Sequence, residues 1–239
     1  MNIDKIFPKN DRFRDSMLNW YPKIQDLDIP QPISKLVMLS EEEYLATMDK
    51  MPLTIVDKVS EAIKEFTLPV FIRTDQSSGK HYWKDPCFYN GDNLAKHLFS
   101  ICEFNHCADF IGLPFRSIVV REYIPMASKY TAFEDMPVNP ERRYFIKDGK
   151  IICHHPYWIK DAILNPSIEN WEKLSDEMNK ETEEEIKLLS SYAEKVIKVI
   201  DGFWSIDFCK AQDGRWILID MATGENSWHP KHSPTPTPR

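Results

Sequence analysis

Two aspartates carry the strongest chemical signal in the sequence: Asp207, within Trp204-Ser205-Ile206-Asp207-Phe208, and Asp220, within Ile217-Leu218-Ile219-Asp220-Met221. Each sits among apolar, strand-forming neighbours, where a carboxylate is costly to bury without a partner. Read as one hairpin turning around Gln212-Asp213-Gly214, the segments admit several registers. A two-residue Asp213-Gly214 turn pairs 212 with 215 and sets 207 opposite 220. A loop over 211–214 pairs 207 with 218 and leaves the acids diagonal. Both registers put them on one face, at roughly 5–8 Å between Cβ atoms, where a hard, oxygen-ligated cation such as Mg2+ relieves the repulsion. The alternatives are that one or both acids pair with Arg or Lys from another strand, or that an odd-length loop sends them to opposite faces.

Basic residues supply the complement. Arg73 ends the strand-like run Val70-Phe71-Ile72, and Lys80 follows the small loop Ser77-Ser78-Gly79, so one cation is on a rigid element and one on a flap suited to a polyphosphate. A hairpin is predicted from Tyr144-Phe145-Ile146-Lys147 to Lys150-Ile151-Ile152-Cys153, because Asp148-Gly149 suits a two-residue primed turn. Regular pairing from 147 with 150 then places Arg143 opposite His154 and Arg142 opposite His155. Either couple forms an anion clamp, with Arg supplying bidentate geometry. For each residue alone, a surface cation or a local ion pair is the commoner outcome.

The elements that must hold these groups follow from periodicity. Ser40-Glu41-Glu42-Glu43 reads as a capping box. Helices are predicted over 54–66, about 93–107 and about 176–200, and strands over Ser117–Ile124 and the two hairpins. Helices flanking hairpin-paired strands give an α+β, mostly antiparallel class. The predicted organisation is an N-terminal helical and extended portion 1–66, a smaller lobe 67–117, a larger lobe 118–231 with the metal site, and a mobile tail 232–239.

Composition narrows the function. The 239 residues, 42% hydrophobic and 28% charged, suffice for one large domain or two joined lobes. No two of the seven glycines form a G-x-G, and Gly79-Lys80 lacks the upstream glycine of a P-loop, so any nucleotide site belongs to another architecture. A net charge of −7 argues against general nucleic-acid binding. The start lacks an apolar leader, and no apolar run reaches the ~18–20 residues of a membrane span. With five cysteines and no C-x-x-C, the chain is expected to be cytoplasmic with reduced thiols. Cys102 and Cys107, with His97 and His106, admit a zinc site, but the spacing of Leu94, Leu98 and Ile101 favours a helix with a buried cysteine.

The order of these pieces resembles an ATP-grasp domain. It runs Phe71-Ile72-Arg73, Ser77-Ser78-Gly79-Lys80, Val119-Val120-Arg121-Glu122-Tyr123-Ile124-Pro125, Arg142 through Lys150, Ser205-Ile206-Asp207-Phe208, and Leu218-Ile219-Asp220. It is most similar to the compact clade of phage and bacterial genomes. It is also similar to the eukaryotic cell-division-cycle proteins of this fold that assist assembly of a translation initiation factor. The resemblance covers about 67–229 and rests on the order of five weak motifs. It implies two mostly antiparallel lobes that grip ATP between them. Arg73 and Lys80 would reach the phosphates, Arg121, Glu122, Tyr123 and Ile124 would form the interlobe strand along the adenine edge, and Arg143 would lie near the γ-phosphate. Asp207 and Asp220 would hold Mg2+. Many members carry Asn two residues after the second acid. Here Ala222 stands there, followed by Thr223-Gly224-Glu225-Asn226, so Glu225 or Asn226 substitutes or the second metal is held weakly.

The expected activity is ATP- and Mg2+-dependent ligation: phosphorylation of a small-molecule or peptide carboxylate and transfer of the acyl phosphate to an amine or similar nucleophile, with Arg143 and Lys80 as the catalytic cations. The rival is an ATP-binding assembly or interaction protein that performs no ligation and has a protein partner. A two-metal nuclease would need a further acid cluster and leaves the basic motifs unexplained.

Overall fold

The computed structural model describes residues 14–80, 87–109 and 114–230. The opening residues and the predicted tail at 232–239 lie outside them. The described residues form two compact units, one of 14–19, 32–123 and 134–136, the other of 20–31, 124–133 and 137–230. Ahead of the sheets lies α1 (Met17–Ile24).

In the first unit, β1 (Ser34–Met38), α2 (Glu41–Ala46), α3 (Leu53–Ile63), β2 (Val70–Thr74), β3 (Phe88–Tyr89), α4 (Leu94–Asp109) and β4 (Ser117–Glu122) follow in order. The strands make an antiparallel sheet, β1-β4-β2-β3. The predicted capping box forms: Glu43 N donates to Ser40 Oγ at 3.1 Å and Ser40 N to Glu43 Oε2 at 2.8 Å. Alternation along the strands gives the sheet two distinct faces. Val37, Val70, Ile72, Ile118 and Val120 join Ile55, Val59 and Ala62 of α3 and Leu98, Ile101 and Cys102 of α4 in one buried core. Phe71 and Arg73, and Val119 and Arg121, fall on the other face, since Phe71 pairs with Arg121 and Arg73 with Val119. Burial pushes the Cys102 thiol up to about 12, so it behaves as a core residue of α4, while the half-buried His106 has its Nε2 2.8 Å from Thr47 Oγ1.

A small hairpin, β5 (Tyr130–Ala132) and β6 (Met136–Val138), precedes the second sheet. That sheet holds β7 (Glu141–Lys147), β8 (Lys150–Pro156), β9 (Phe203–Lys210) and β10 (Trp216–Thr223) in the order β10-β9-β7-β8, all antiparallel. Asp148 and Gly149 both take positive φ, 48° and 78°, as a primed turn requires. The predicted helix over 176–200 is instead α5 (Trp171–Met178) and α6 (Glu183–Ile197). Two features enforce the break. Thr182 restarts the helix by accepting from Glu185 N at 3.2 Å, and the buried Arg142 donates through Nη2 to Met178 O at 3.0 Å and Lys180 O at 3.2 Å. Its Nε meets Glu185 Oε1 at 2.6 Å, so Arg142 braces the helices from the face that also carries Tyr144 and Phe208, the latter against Tyr192 of α6. Arg142 is thus a structural residue. No disulfide links the five cysteines.

Candidate functional site: a charged row across the second sheet

The register of the second sheet departs twice from regular pairing, and both departures shape the site. Between β9 and β10, Trp216 pairs with Lys210 and Leu218 with Phe208, so the loop is the odd-length 212–214. Continued regularly, that register would set Asp207 opposite Ile219. A bulge between Leu218 and Asp220 absorbs the extra residue, and Asp220 comes to lie opposite Asp207. The two acids therefore share a face, by a route different from either even-loop register.

Between β7 and β8 a second irregularity, between Phe145 and Ile146, moves the partners by one. Arg143 lies opposite His155, and Tyr144 opposite His154, correcting the regular register that paired Arg143 with His154 and Arg142 with His155. Because Arg143 also pairs with Asp207, the four strands carry one transverse row, Asp220, Asp207, Arg143, His155. It lies on the face turned away from α6, since Arg142, Tyr144 and Phe208 occupy the other.

Within the row, Arg143 and Asp207 form a fork-to-fork ion pair: Nε to Oδ1 and Nη2 to Oδ2, both 2.7 Å. Their side chains are 8% and 7% exposed, so the pair is shielded from solvent screening. Arg143 Nη1 also donates to Trp228 O at 3.3 Å, and its guanidinium lies 4.5 Å from the Tyr157 ring centroid. Burial opposes the charge of Arg143, but the Asp207 carboxylate and its hydrogen bonds outweigh it and hold the pKa above the ordinary arginine value.

His155 is buried. Its Nδ1, 2.8 Å from Pro156 O, donates there, which leaves the Nε2 lone pair without a hydrogen-bond partner. Burial pushes its pKa down, assisted by His229 and Arg143. The segment after β10 covers this face: His229 lies over Phe145 and His155, and Ser227 Oγ is 2.7 Å from Ser205 Oγ, which belongs to the residue opposite Ala222. Glu225 is exposed in this segment. Among the described residues, no three His, Cys, Asp or Glu side chains are grouped closely enough to hold a metal ion by themselves.

The other predicted residues, Ile124 excepted, lie in the first unit. Arg73 is buried on β2, its Nε donating to Thr74 O at 3.0 Å. Lys80 and Arg73 both act on the Cys87 thiol, which burial pushes up to about 12 against their positive charges. Cys87 Sγ in turn donates to Ser78 O at 3.0 Å, tethering the loop ahead of Lys80. Arg121 is buried on β4 with Nε 3.1 Å from Ser34 Oγ. Glu122 is exposed and accepts from Ile33 N through Oε2 at 3.3 Å. Tyr123 packs edge-on against Phe88, and burial raises its hydroxyl pKa. Ile124 is the first residue of 124–133 in the second unit. Sequence reasoning passed over Tyr157, Trp228 and Ser227. Of these, only the aromatic cluster His154-His155-Pro156-Tyr157-Trp158, abutting the hairpin, marks itself in the sequence.

A family described as an ATP-grasp domain, family 3 of its clade, matches residues 55–237. The chain belongs to this family. Cdc123 from Schizosaccharomyces pombe aligns with a TM-score of 0.60 at 18% identity, covering 90% of this chain and 86% of that one. Its C-terminally truncated form gives 0.59 over the same shares. The ADP complex of purK, N5-carboxyaminoimidazole ribonucleotide synthetase, gives 0.51 at 10% identity over 87% of this chain and 44% of that one, so this chain spans less than half of purK. No curated protein matches the sequence. The α+β, antiparallel ATP-grasp fold is therefore the fold of this chain. No helix among the described residues is long and apolar enough to cross a membrane.

Proposed function

We propose that this ATP-grasp protein binds ATP with Mg2+ and phosphorylates a small-molecule or peptide carboxylate, whose acyl phosphate an amine or similar nucleophile then takes. The observation that carries this reading is the row Asp220, Asp207, Arg143: two acids directly opposed on neighbouring strands, with an arginine beside them on a rigid element. Carboxylates are the hard oxygen donors that Mg2+ takes, so Asp207 and Asp220 fit as two donors beside phosphate oxygens, while Glu225 is not grouped with them. Mg2+ bound there supplies neutralisation of phosphate charge. Arg143 offers a planar fork to the terminal phosphate, and Arg73 and Lys80 bring further positive charge to the phosphates. The backbone of Arg121, Glu122, Tyr123 and Ile124 is assigned to the adenine edge, with Glu122 at the hinge. Positioning and charge stabilisation by these groups supply the catalysis, because phosphoryl transfer asks little covalent chemistry of the protein.

A second reading is an ATP-binding interaction or assembly protein with a protein partner and no turnover. It is supported by the mutual satisfaction of Arg143 and Asp207, which makes the row a stable element in itself. Two measurements separate the readings. ATP affinity in calorimetry should fall in Asp207→Asn and Asp220→Asn at matched Mg2+, and unchanged affinity in both rejects the metal role. ADP formation with pooled carboxylates and amines should appear in wild type and drop far more than affinity in Arg143→Ala, by up to about 10³-fold. Absence of ADP release with every pool selects the interaction protein.

A further inference from the structure

On the ATP and Mg2+ reading, on which this inference rests, Arg143 and Asp207 are each assigned to a ligand, yet they hold each other by two 2.7 Å bonds in a buried setting. A cation binding Asp207 in the bidentate positions must displace the guanidinium. A phosphate binding the Arg143 fork must displace the carboxylate. Opening the pair for one ligand alone either leaves Asp207 buried opposite Asp220 or leaves the buried Arg143 with only Trp228 O, the Tyr157 ring and the field of Glu141, without the carboxylate that pairs it, and losing one partner of a buried pair is strongly unfavourable. For Asp207 the penalty is compounded, since Asp220 stands directly opposite. When both ligands arrive, each liberated group finds a new counter-charge at once.

We propose that the Arg143–Asp207 pair is an exchange latch: Mg2+ takes the place of the guanidinium on Asp207, beside Asp220, only when a polyphosphate takes the guanidinium, so neither ligand opens the pair alone. The coupling is reciprocal, each ligand raising the affinity for the other. Tyr157 gives the guanidinium a surface along which to pivot, because stacking on an aromatic ring survives a change of hydrogen-bond partner. Trp228 O, the third partner of Arg143, is released in the same step.

The test follows the Arg143 Nε–H resonance of the full chain by 15N NMR, assigned by its loss in Arg143→Lys. The signal should stay in place with MgCl2 alone and with a non-hydrolysable ATP analogue in chelator, and move when both are present. Movement with either alone overturns the latch, as does no movement at saturation with both. Calorimetry on the same samples separates the failures: nucleotide binding with an unmoved signal sinks the latch alone, whereas no nucleotide binding sinks the ATP reading and the latch together. A second measurement uses Mn2+ without nucleotide. Arg143→Gln should bind it at least tenfold more tightly than wild type, and adding Asp207→Asn should remove the gain. Equal Mn2+ affinity in Arg143→Gln and wild type overturns the proposal. Should Arg143→Gln not fold, the wild-type resonance decides.

Discussion

Replacing Arg143 by Met tests how much the charged row contributes to the fold itself. The substitution removes the guanidinium and keeps much of its apolar stem, so it deletes both bonds to Asp207, the bond to Trp228 O and the contact over Tyr157. Asp207, 7% exposed, is left as an uncompensated carboxylate directly opposite Asp220. Removing one partner of a buried ion pair costs about 3–5 kcal/mol, while replacing both by apolar groups of similar volume is often neutral or better. The double variant Arg143→Met/Asp207→Leu should therefore recover at least ~2 kcal/mol of the Arg143→Met loss, although it still lacks the Tyr157 and Trp228 contacts. For a chain of this size each kcal/mol moves the melting midpoint by about 2–4 °C. The assay is urea unfolding followed by tryptophan fluorescence, where Trp204 and Trp216 flank the row in β9 and β10, with calorimetric melting as a second probe. If the two single substitutions add to the double within ~0.5 kcal/mol, the side chains are not coupled and the buried-pair argument is refuted.

Three further expectations concern residues around the row and the first sheet. Asp75 is buried and accepts from Ser16 Oγ at 2.5 Å and from Arg116 N and Ser117 N at 2.8 Å each; Asp75→Ala should destabilise by roughly 2–4 kcal/mol through orphaned donors, whereas Asp75→Asn, which can still meet all three, should cost under ~1.5 in the same unfolding assay. Glu181 is disfavoured in its charged form by burial, but the hydrogen bond from His154 and the charge of Arg142 outweigh this and hold its carboxyl below the ordinary 4.5. A depressed carboxyl contributes stability above its unfolded value and loses it as pH falls toward the folded one, so Glu181→Gln should flatten the loss of stability below about pH 4.5; an unchanged pH profile would contradict this. At Gly224 an added Cβ would lie 2.4 Å from the Phe203 ring. Gly224→Ala should therefore cost about 1–3 kcal/mol, and Phe203→Leu in the same chain should relieve part of it, which a double-mutant melting series reads directly.

The fold was legible where local chemistry decides the outcome. Ser40 with Glu43, the Asp148-Gly149 turn and the buried stripe Leu189, Ala193, Val196 each announce their element without reference to distant residues. The split of the expected 176–200 helix was only half legible: Thr182-Glu183-Glu184-Glu185 carries the same start signature as Ser40 to Glu43, but the helix before it ends at Met178 where Arg142, some forty positions from Thr182 in sequence, binds the carbonyls of Met178 and Lys180. That contact is tertiary, and periodicity carries no trace of it.

The site shows the same division more sharply. That Asp207 and Asp220 share a face follows from strand-like surroundings and an even register, yet the observed hairpin has an odd loop over 212–214, which counted alone separates the acids. The bulge beside Ile219 cancels the odd loop, so the loop parity that counts against the pair in the sequence and a bulge that the sequence does not announce together restore the outcome that even pairing gives. In the β7–β8 hairpin a single irregularity stands uncancelled, and the assignment shifts by one: His155, not His154, completes the row with Arg143. Since side chains alternate with a strict period of two, every bulge inverts the facing of all that follows it. Parity is therefore the quantity a sequence conceals in a sheet site, and it is fixed here by backbone irregularities at apolar positions whose residue types, Ile219 and Ile151-Ile152, are equally at home in regular strand. What residue chemistry can identify is the set of charges that must find one another. In this sheet they do so across four strands in one line, and the partner that Arg143 takes within that line, Asp207, is the reason that metal and phosphate binding are expected to be a single coupled event.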